Sequence, residues 1–343
     1  MAKAAVAARP FPITMKRTYL LLLLSISLFF VLSLVHGAVA IPLRSVLALL
    51  GGDAGQRESW RVIILESRLP QALTALLAGG ALAASGLLLQ TAFRNPLAAP
   101  DIFGVTSGAS LAVALFTLAP AALLPPALSY LSSVAAAFVG AIGVTALVWM
   151  FSRMVRSGVV LIIIGIMIGY LASSAITLLN FFATEEGVKS FAVWGMGNFG
   201  NVSAAQMPLF AAVTVAATGS SLLLMKPLNA LLLGERYAGN LGVNVRRLRN
   251  VLLVVTGLLT AVVTAFCGPV SFIALAVPHI ARLLLRSADH RLLLPMTILS
   301  GSAIALLCNV LTSLPGEAGT LPLNAVTPLV GAPIIIYVIV SRS

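Results

Sequence analysis

Long apolar runs, broken at short intervals by clusters of Arg, Asn, Gly and Pro, organise this chain along most of its length. A helix needs about 20 predominantly apolar residues to cross the hydrocarbon core of a bilayer. Runs of about that length are predicted near 18–36, 68–90, 102–119, 130–151, 158–182, 204–225, 250–267, 270–286, 292–312 and 324–341. The longest stretches between them are 37–67, 183–203 and 226–249, none large enough for a second folded unit. The expectation is an all-α integral membrane protein of about ten transmembrane helices. Residues 1–343 form one transmembrane domain, with its spans inside 18–341.

Composition and charge sharpen this. The chain is 60% hydrophobic and 9% charged, with a mean hydropathy of +1.08, outside the range of water-soluble domains. Ten spans put both termini on one side, and short cytoplasmic loops collect Lys and Arg. With the termini cytoplasmic, only Arg44, Arg57, Arg61, Arg68 and Lys189 of the 21 basic residues face out. The net charge of +12 then reflects topology and contact with anionic lipid, not nucleic acid, for which no tail is long enough. The first run, Tyr19 to Val35, follows Lys16 and Arg17 and precedes Ala38-Val39-Ala40, which imitates a cleaved secretory signal. Its length and the even span count favour an uncleaved first span. Cys267 and Cys308 lie near span ends without metal-type spacing, and packing is the better account.

Candidate chemistry is mostly excluded. None of the nine acidic residues falls well inside a predicted span, which argues against an ion-coupled secondary transporter, because such carriers place ionisable groups in the membrane. The chain has no His-Glu-x-x-His pair, no Gly-x-Ser-x-Gly elbow and no phosphate-binding Gly-x-x-x-x-Gly-Lys-Ser/Thr loop. No catalytic residue is assigned, and His36, His279 and His290 are too scattered for a metal site. Stripes of small residues in the second span (Gly79, Gly80, Ala83, Ala84, Gly86) and the fifth (Gly165, Gly169, Ala172, Ser173) suit close helix packing or the border of a passage. Pro-containing turns at Arg94–Leu97 and Gly268–Val270 join spans of opposite direction, a faint sign of inverted repeats. Segment 226–249 reads as two short amphipathic helices, about 228–233 and 235–241, broken at Gly234 and Gly242. Docking a soluble partner and lying flat on the membrane are equally open for it.

Several spaced motifs resemble the membrane subunits of bacterial ATP-binding-cassette importers for iron-siderophore complexes, haem and cobalamin. They are Arg68-Leu69-Pro70, Gly80 to Gly86, Gln90, Arg94-Asn95-Pro96-Leu97-Ala98-Ala99-Pro100, Gly104 and Ser107-Gly108-Ala109. Further on come Leu233-Gly234-Glu235, Ala238, Leu241-Gly242-Val243, Gly268 to Phe272, Val277 to Arg282 and Gly331-Ala332-Pro333. The resemblance implies an inverted-repeat type II importer permease fold in the bacterial inner membrane. The permease works as a dimer, expected here as a homodimer, with two cytoplasmic ATPase subunits and a periplasmic substrate-binding protein. ATP and Mg belong to the ATPase, and this chain binds no cofactor of its own. The resemblance places the ATPase on Leu233, Gly234, Glu235, Ala238, Leu241, Gly242 and Val243, and the cytoplasmic gate at Arg156, Ser157, Gly158 and Val159. Docking of the binding protein is expected on Arg57, Arg61 and Arg68. Gln71, Asn309 and Ser313 stand where the family usually has Arg, Asp and Arg, and Ala274 replaces a common Gly. An iron chelate or haem is the expected cargo, with cobalamin the alternative.

Overall fold

The structure is a computed structural model that describes residues 13–52, 55–118, 126–155, 157–316 and 319–340. The described residues form α1 (Ile13–Val35), α2 (Leu43–Leu50), α3 (Glu58–Val62), α4 (Leu69–Ala92), α5 (Val105–Leu118), α6 (Pro126–Met154), α7 (Gly158–Phe182) and α8 (Glu185–Gly195). They continue with α9 (Met207–Leu222), α10 (Met225–Leu232), α11 (Glu235–Asn240), α12 (Val245–Cys267), α13 (Ile273–Leu285), α14 (His290–Thr312) and α15 (Leu323–Val340). Every predicted span has its helix: α1, α4, α5, α6, α7, α9, α12, α13, α14 and α15. Among the described residues, six helical stretches are long and apolar enough to cross a bilayer alone, and α9 passes the same test only together with α10, from which it is bent by 46°.

The shorter members show how the remaining depth is filled. Helices α5 and α13 have 14 and 13 residues, only about 20 Å at 1.5 Å per residue, against a hydrocarbon core of about 30 Å. Irregular backbone makes up the difference before each of them. Bare peptide groups cannot face lipid, and here they do not. Ala98, Ala99 and Phe103 are buried, and the N–H groups of Ala98, Ile102, Phe103 and Gly104 bond to Asn95, Ala99, Pro100 and Asp101 carbonyls.

The outer stretch 37–67, read from sequence as a connection, instead folds into α2, α3 and a π-helical turn (Ile63–Arg68) that runs straight into α4. Pro70 explains the wide turn. A proline ring clashes with the carbonyl four residues back, here that of Glu66, and widening the turn moves that carbonyl aside.

Helix pairing repeats between the two halves. α4 packs on α14 as α12 packs on α6, and α5 sits against α6 and α7 as α13 sits against α14 and α15. Small residues set the closest approaches: a Cβ on Gly79 would lie 2.3 Å from the Gly301 carbonyl oxygen, and one on Gly301 equally near that of Gly79. Gly108 and Gly140 oppose each other in the same way between α5 and α6. The α4 stripe is therefore a packing face. On α7, by contrast, only Gly165 and Ala172 of the predicted stripe are buried, while Tyr170, Leu171, Phe181 and Phe182 project outward.

Candidate functional site

Segment 225–243 forms an elbow whose shape follows from two glycines. α10 stops at Leu233, Gly234 takes φ +113°, and α11 starts at Glu235. Gly242 at φ +83° closes α11 with two further bonds: Val243 N–H to Ala238 O and Gly242 N–H to Gly239 O, both 3.0 Å. This paired closure is the usual helix stop for a residue with left-handed backbone. Ala238 points inward and is wholly buried against Leu88, Leu228 and Leu252. On the opposite side Leu233, Tyr237 and Leu241, four residues apart, are 63%, 62% and 60% exposed. That stripe has no cover from the other described residues.

Polar side chains hold the elbow in place. Arg249 Nη2 donates to Glu235 Oε1 at 2.8 Å, and Arg94 Nη2 to the Leu231 carbonyl at 2.9 Å. Arg249 also lies over the Phe93 ring, 5.7 Å from its centroid. Asn229 Oδ1 accepts the backbone N–H of His290 at 2.8 Å, and its amide nitrogen donates to Asp289. Asp289 caps α14, accepting from Arg291 N–H at 2.9 Å. Partial burial opposes ionisation of that carboxyl, but the hydrogen bonds from Arg291 and Asn229 prevail and hold its pKa below the ordinary carboxylate range.

The turn expected as the cytoplasmic gate approaches this elbow through Phe93. Arg156 falls outside the described residues. Ser157 is the extended, exposed residue ahead of α7, Gly158 opens the helix, and Val159 is exposed. A Cβ on Gly158 would meet the Phe93 ring at 3.1 Å. Phe93 thus touches both the gate turn and the arginine that pairs with Glu235, two features 77 positions apart in the numbering of Gly158 and Glu235.

The three arginines expected at the binding-protein surface divide. Arg57 and Arg61 are exposed, with Arg57 stacked 4.8 Å from the Trp60 ring centroid. Arg68 is only 6% exposed; it donates to the Leu34 and Val35 carbonyls at 2.8 Å each and to the Val39 carbonyl. It satisfies the last carbonyls of α1, which a helix end leaves without partners. The expectation that Arg68 meets a docking protein is corrected: its guanidinium is spent inside the chain. Two of the unusual positions also meet each other, since Gln71 Nε2 donates to Asn309 Oδ1 at 2.9 Å, an uncharged pair between α4 and α14. Thr91, Asn229 and His290 converge at the elbow without any local pattern that would have singled them out.

Comparison with known proteins agrees with this architecture. The hemin transport system permease protein HmuU of Yersinia pestis is 33% identical over 307 residues, 89% of this chain and 90% of that protein. The vitamin B12 import system permease protein BtuC of Serratia proteamaculans is 34% identical over 331 residues, 94% and 92% of the two chains. A solved structure described as an inward-facing conformation of a metal-chelate type ABC transporter superposes with a TM-score of 0.82 at 29% identity, covering 95% of this chain and 99% of that one. With residues 23–341 matching the family's pattern, this multi-pass membrane chain belongs to the FecCD transport family.

Proposed function

We propose that this chain is the permease subunit of an ATP-driven importer that carries an iron chelate, either a siderophore complex or haem, across the bacterial inner membrane. The observation that carries the reading is the match to a haem permease over nine-tenths of both chains. The exposed Leu233, Tyr237 and Leu241 leave an apolar patch on α10 and α11 that a soluble partner would cover. In this reading two copies enclose the path, two ATPase subunits bind ATP and Mg beneath them, and a periplasmic protein delivers cargo above, meeting Arg57 and Arg61. The basic residues put both termini in the cytoplasm. Closure of the ATPases tilts the elbow and opens or shuts the path, a two-state switch biased by nucleotide.

Reconstitution tests this. Proteoliposomes holding the permease, its ATPase and its binding protein should take up haem only with ATP, whereas uptake by the permease alone would establish an ion-coupled carrier instead. Single cysteines at Ser157 and Ser190, with Cys267 and Cys308 replaced, should label from opposite faces. Cobalamin is the second reading, favoured by the equal likeness to vitamin B12 permeases. Affinity of the binding protein for haem against cobalamin decides between them.

A further inference from the structure

His290 is 1% exposed, so each of its ring nitrogens needs a partner within the protein. Nδ1 lies 2.9 Å from Asn229 Oδ1, and Nε2 lies 2.8 Å from Thr91 Oγ1. The orientation of Asn229 is set independently, because its oxygen accepts the His290 backbone N–H and its nitrogen faces the Asp289 carboxylate. Nδ1 therefore carries a proton, and Nε2 shares a hydrogen bond with the Thr91 hydroxyl, which also lies within donating distance of the Leu87 carbonyl at 2.9 Å. One ring so joins three elements: α10 through Asn229, the start of α14 through its own backbone, and α4 through Thr91.

The position of this ring matters because of what lies on either side. α10 leaves α9 at a 46° bend and packs on α14 and α4. A second bond, Arg94 to Leu231 O, ties the same helix to the end of α4. Further along, α4 and α14 are in backbone contact at Gly79 and Gly301, where a Cβ on either would sit 2.3 Å from the other's carbonyl oxygen. Helices that close cannot slide past each other without separating. A displacement of the elbow is accordingly delivered to α4 and α14 as one body.

We infer that the Asn229–His290–Thr91 bonds are the joint that carries movement of α10 and α11 into the α4–α14 pair, with Asn229 and His290 as positioning residues for transport. This rests on the reading that α10 and α11 seat the ATPase. The joint makes α9, although it is covalently continuous with α10, the element that the elbow moves against.

Spin labels in the reconstituted permease–ATPase complex, with Cys267 and Cys308 replaced, test this directly. Labels at Asn240→Cys and Ser313→Cys span the elbow and the far end of α14; labels at Asn240→Cys and Gln206→Cys span the elbow and the far end of α9. On trapping Mg-ATP with vanadate, the first distance should stay constant and the second should change. In Asn229→Ala and in Thr91→Val, which keeps the side-chain shape, the first distance should become nucleotide-dependent with the ATPase still bound. Thr91→Ser should restore the constant distance. A first distance that changes in the parent complex, or that stays constant in both variants, overturns the joint while leaving the ATPase seat intact. If neither distance responds to nucleotide in the parent complex, the seat itself is misassigned and the joint falls with it.

Discussion

At the end of the bundle that carries α10 and α11, long side chains tie the helices around the Asn229–His290 joint: Arg94 to Leu231 O, Arg249 to Glu235, and Arg282 to Gln90. At the opposite end a short side chain and close-packed peptide groups make the ties. Asn324 alone donates from its amide to the carbonyls of Gly195 and Pro269, accepts from Ser271 N–H, and gives its own N–H to Met196 O. Gly197 and Gly268 let the chains around it approach so closely that a Cβ on Gly268 would stand 2.5 Å from Trp194 O. Long side chains can keep a hydrogen bond while their helices shift, whereas peptide groups in contact cannot. The end proposed to receive the ATPase is thus built to move, and the other end is built to hold its shape.

The sharpest way to break this contrast is to crowd the rigid end. Gly268→Val combines a positive φ with overpacking and should cost about 3 kcal/mol or more, read as a large drop in thermal unfolding temperature of the purified protein. An unchanged temperature would mean that end has slack. Arg68→Met should come next. It strands the Leu34 and Val35 carbonyls at the end of α1 and that of Val39 beyond it, at about 1–3 kcal/mol, and lowers thermal stability, while protein that stays folded keeps its rate of association with the binding protein. If association slowed and stability held, Arg68 would belong to the docking surface after all.

Gly234→Leu probes the mobile end, where a side chain at φ +113° strains the elbow by about 1 kcal/mol. Folding should survive, and co-purification of the ATPase or ATP-dependent uptake should fail. Normal uptake would remove the elbow from the coupling path. Arg57→Glu together with Arg61→Glu should slow binding-protein association only a few-fold, because exposed pairs contribute about 0.2–1 kcal/mol each, and the effect should fade with salt. The smallest effect concerns Asp289. Its folded pKa lies below its unfolded value, so its contribution is complete above the usual aspartate range near pH 4 and is lost as pH falls through the lower folded value. Nucleotide-independent mobility of a label at Tyr237 should therefore rise only under strong acid, and Asp289→Asn should remove that dependence.

Apolar run lengths alone determined the ten main helices, since a span is a local property of about 20 residues with few charges. Gly234 and Gly242 were legible as helix breaks for the same local reason: a glycine after an amphipathic turn marks left-handed backbone. The exposed side of α11 was legible only in part, because the amphipathic pattern marks the short helices but does not say whether lipid or protein covers them. What tertiary structure alone decided concerns pairs far apart in the chain. Arg68 reads as an outward charge by position, yet the end of α1 and the segment after it give it three carbonyls. Gln71 and Asn309 read as two separate departures, yet α4 and α14 bring them together as one pair. Thr91, Asn229 and His290 carry no signal in their own neighbourhoods. A hydrogen bond depends on distances of a few tenths of an ångström between groups whose sequence separations here are 61 and 199, and only the packing of α4, α10 and α14 sets those distances.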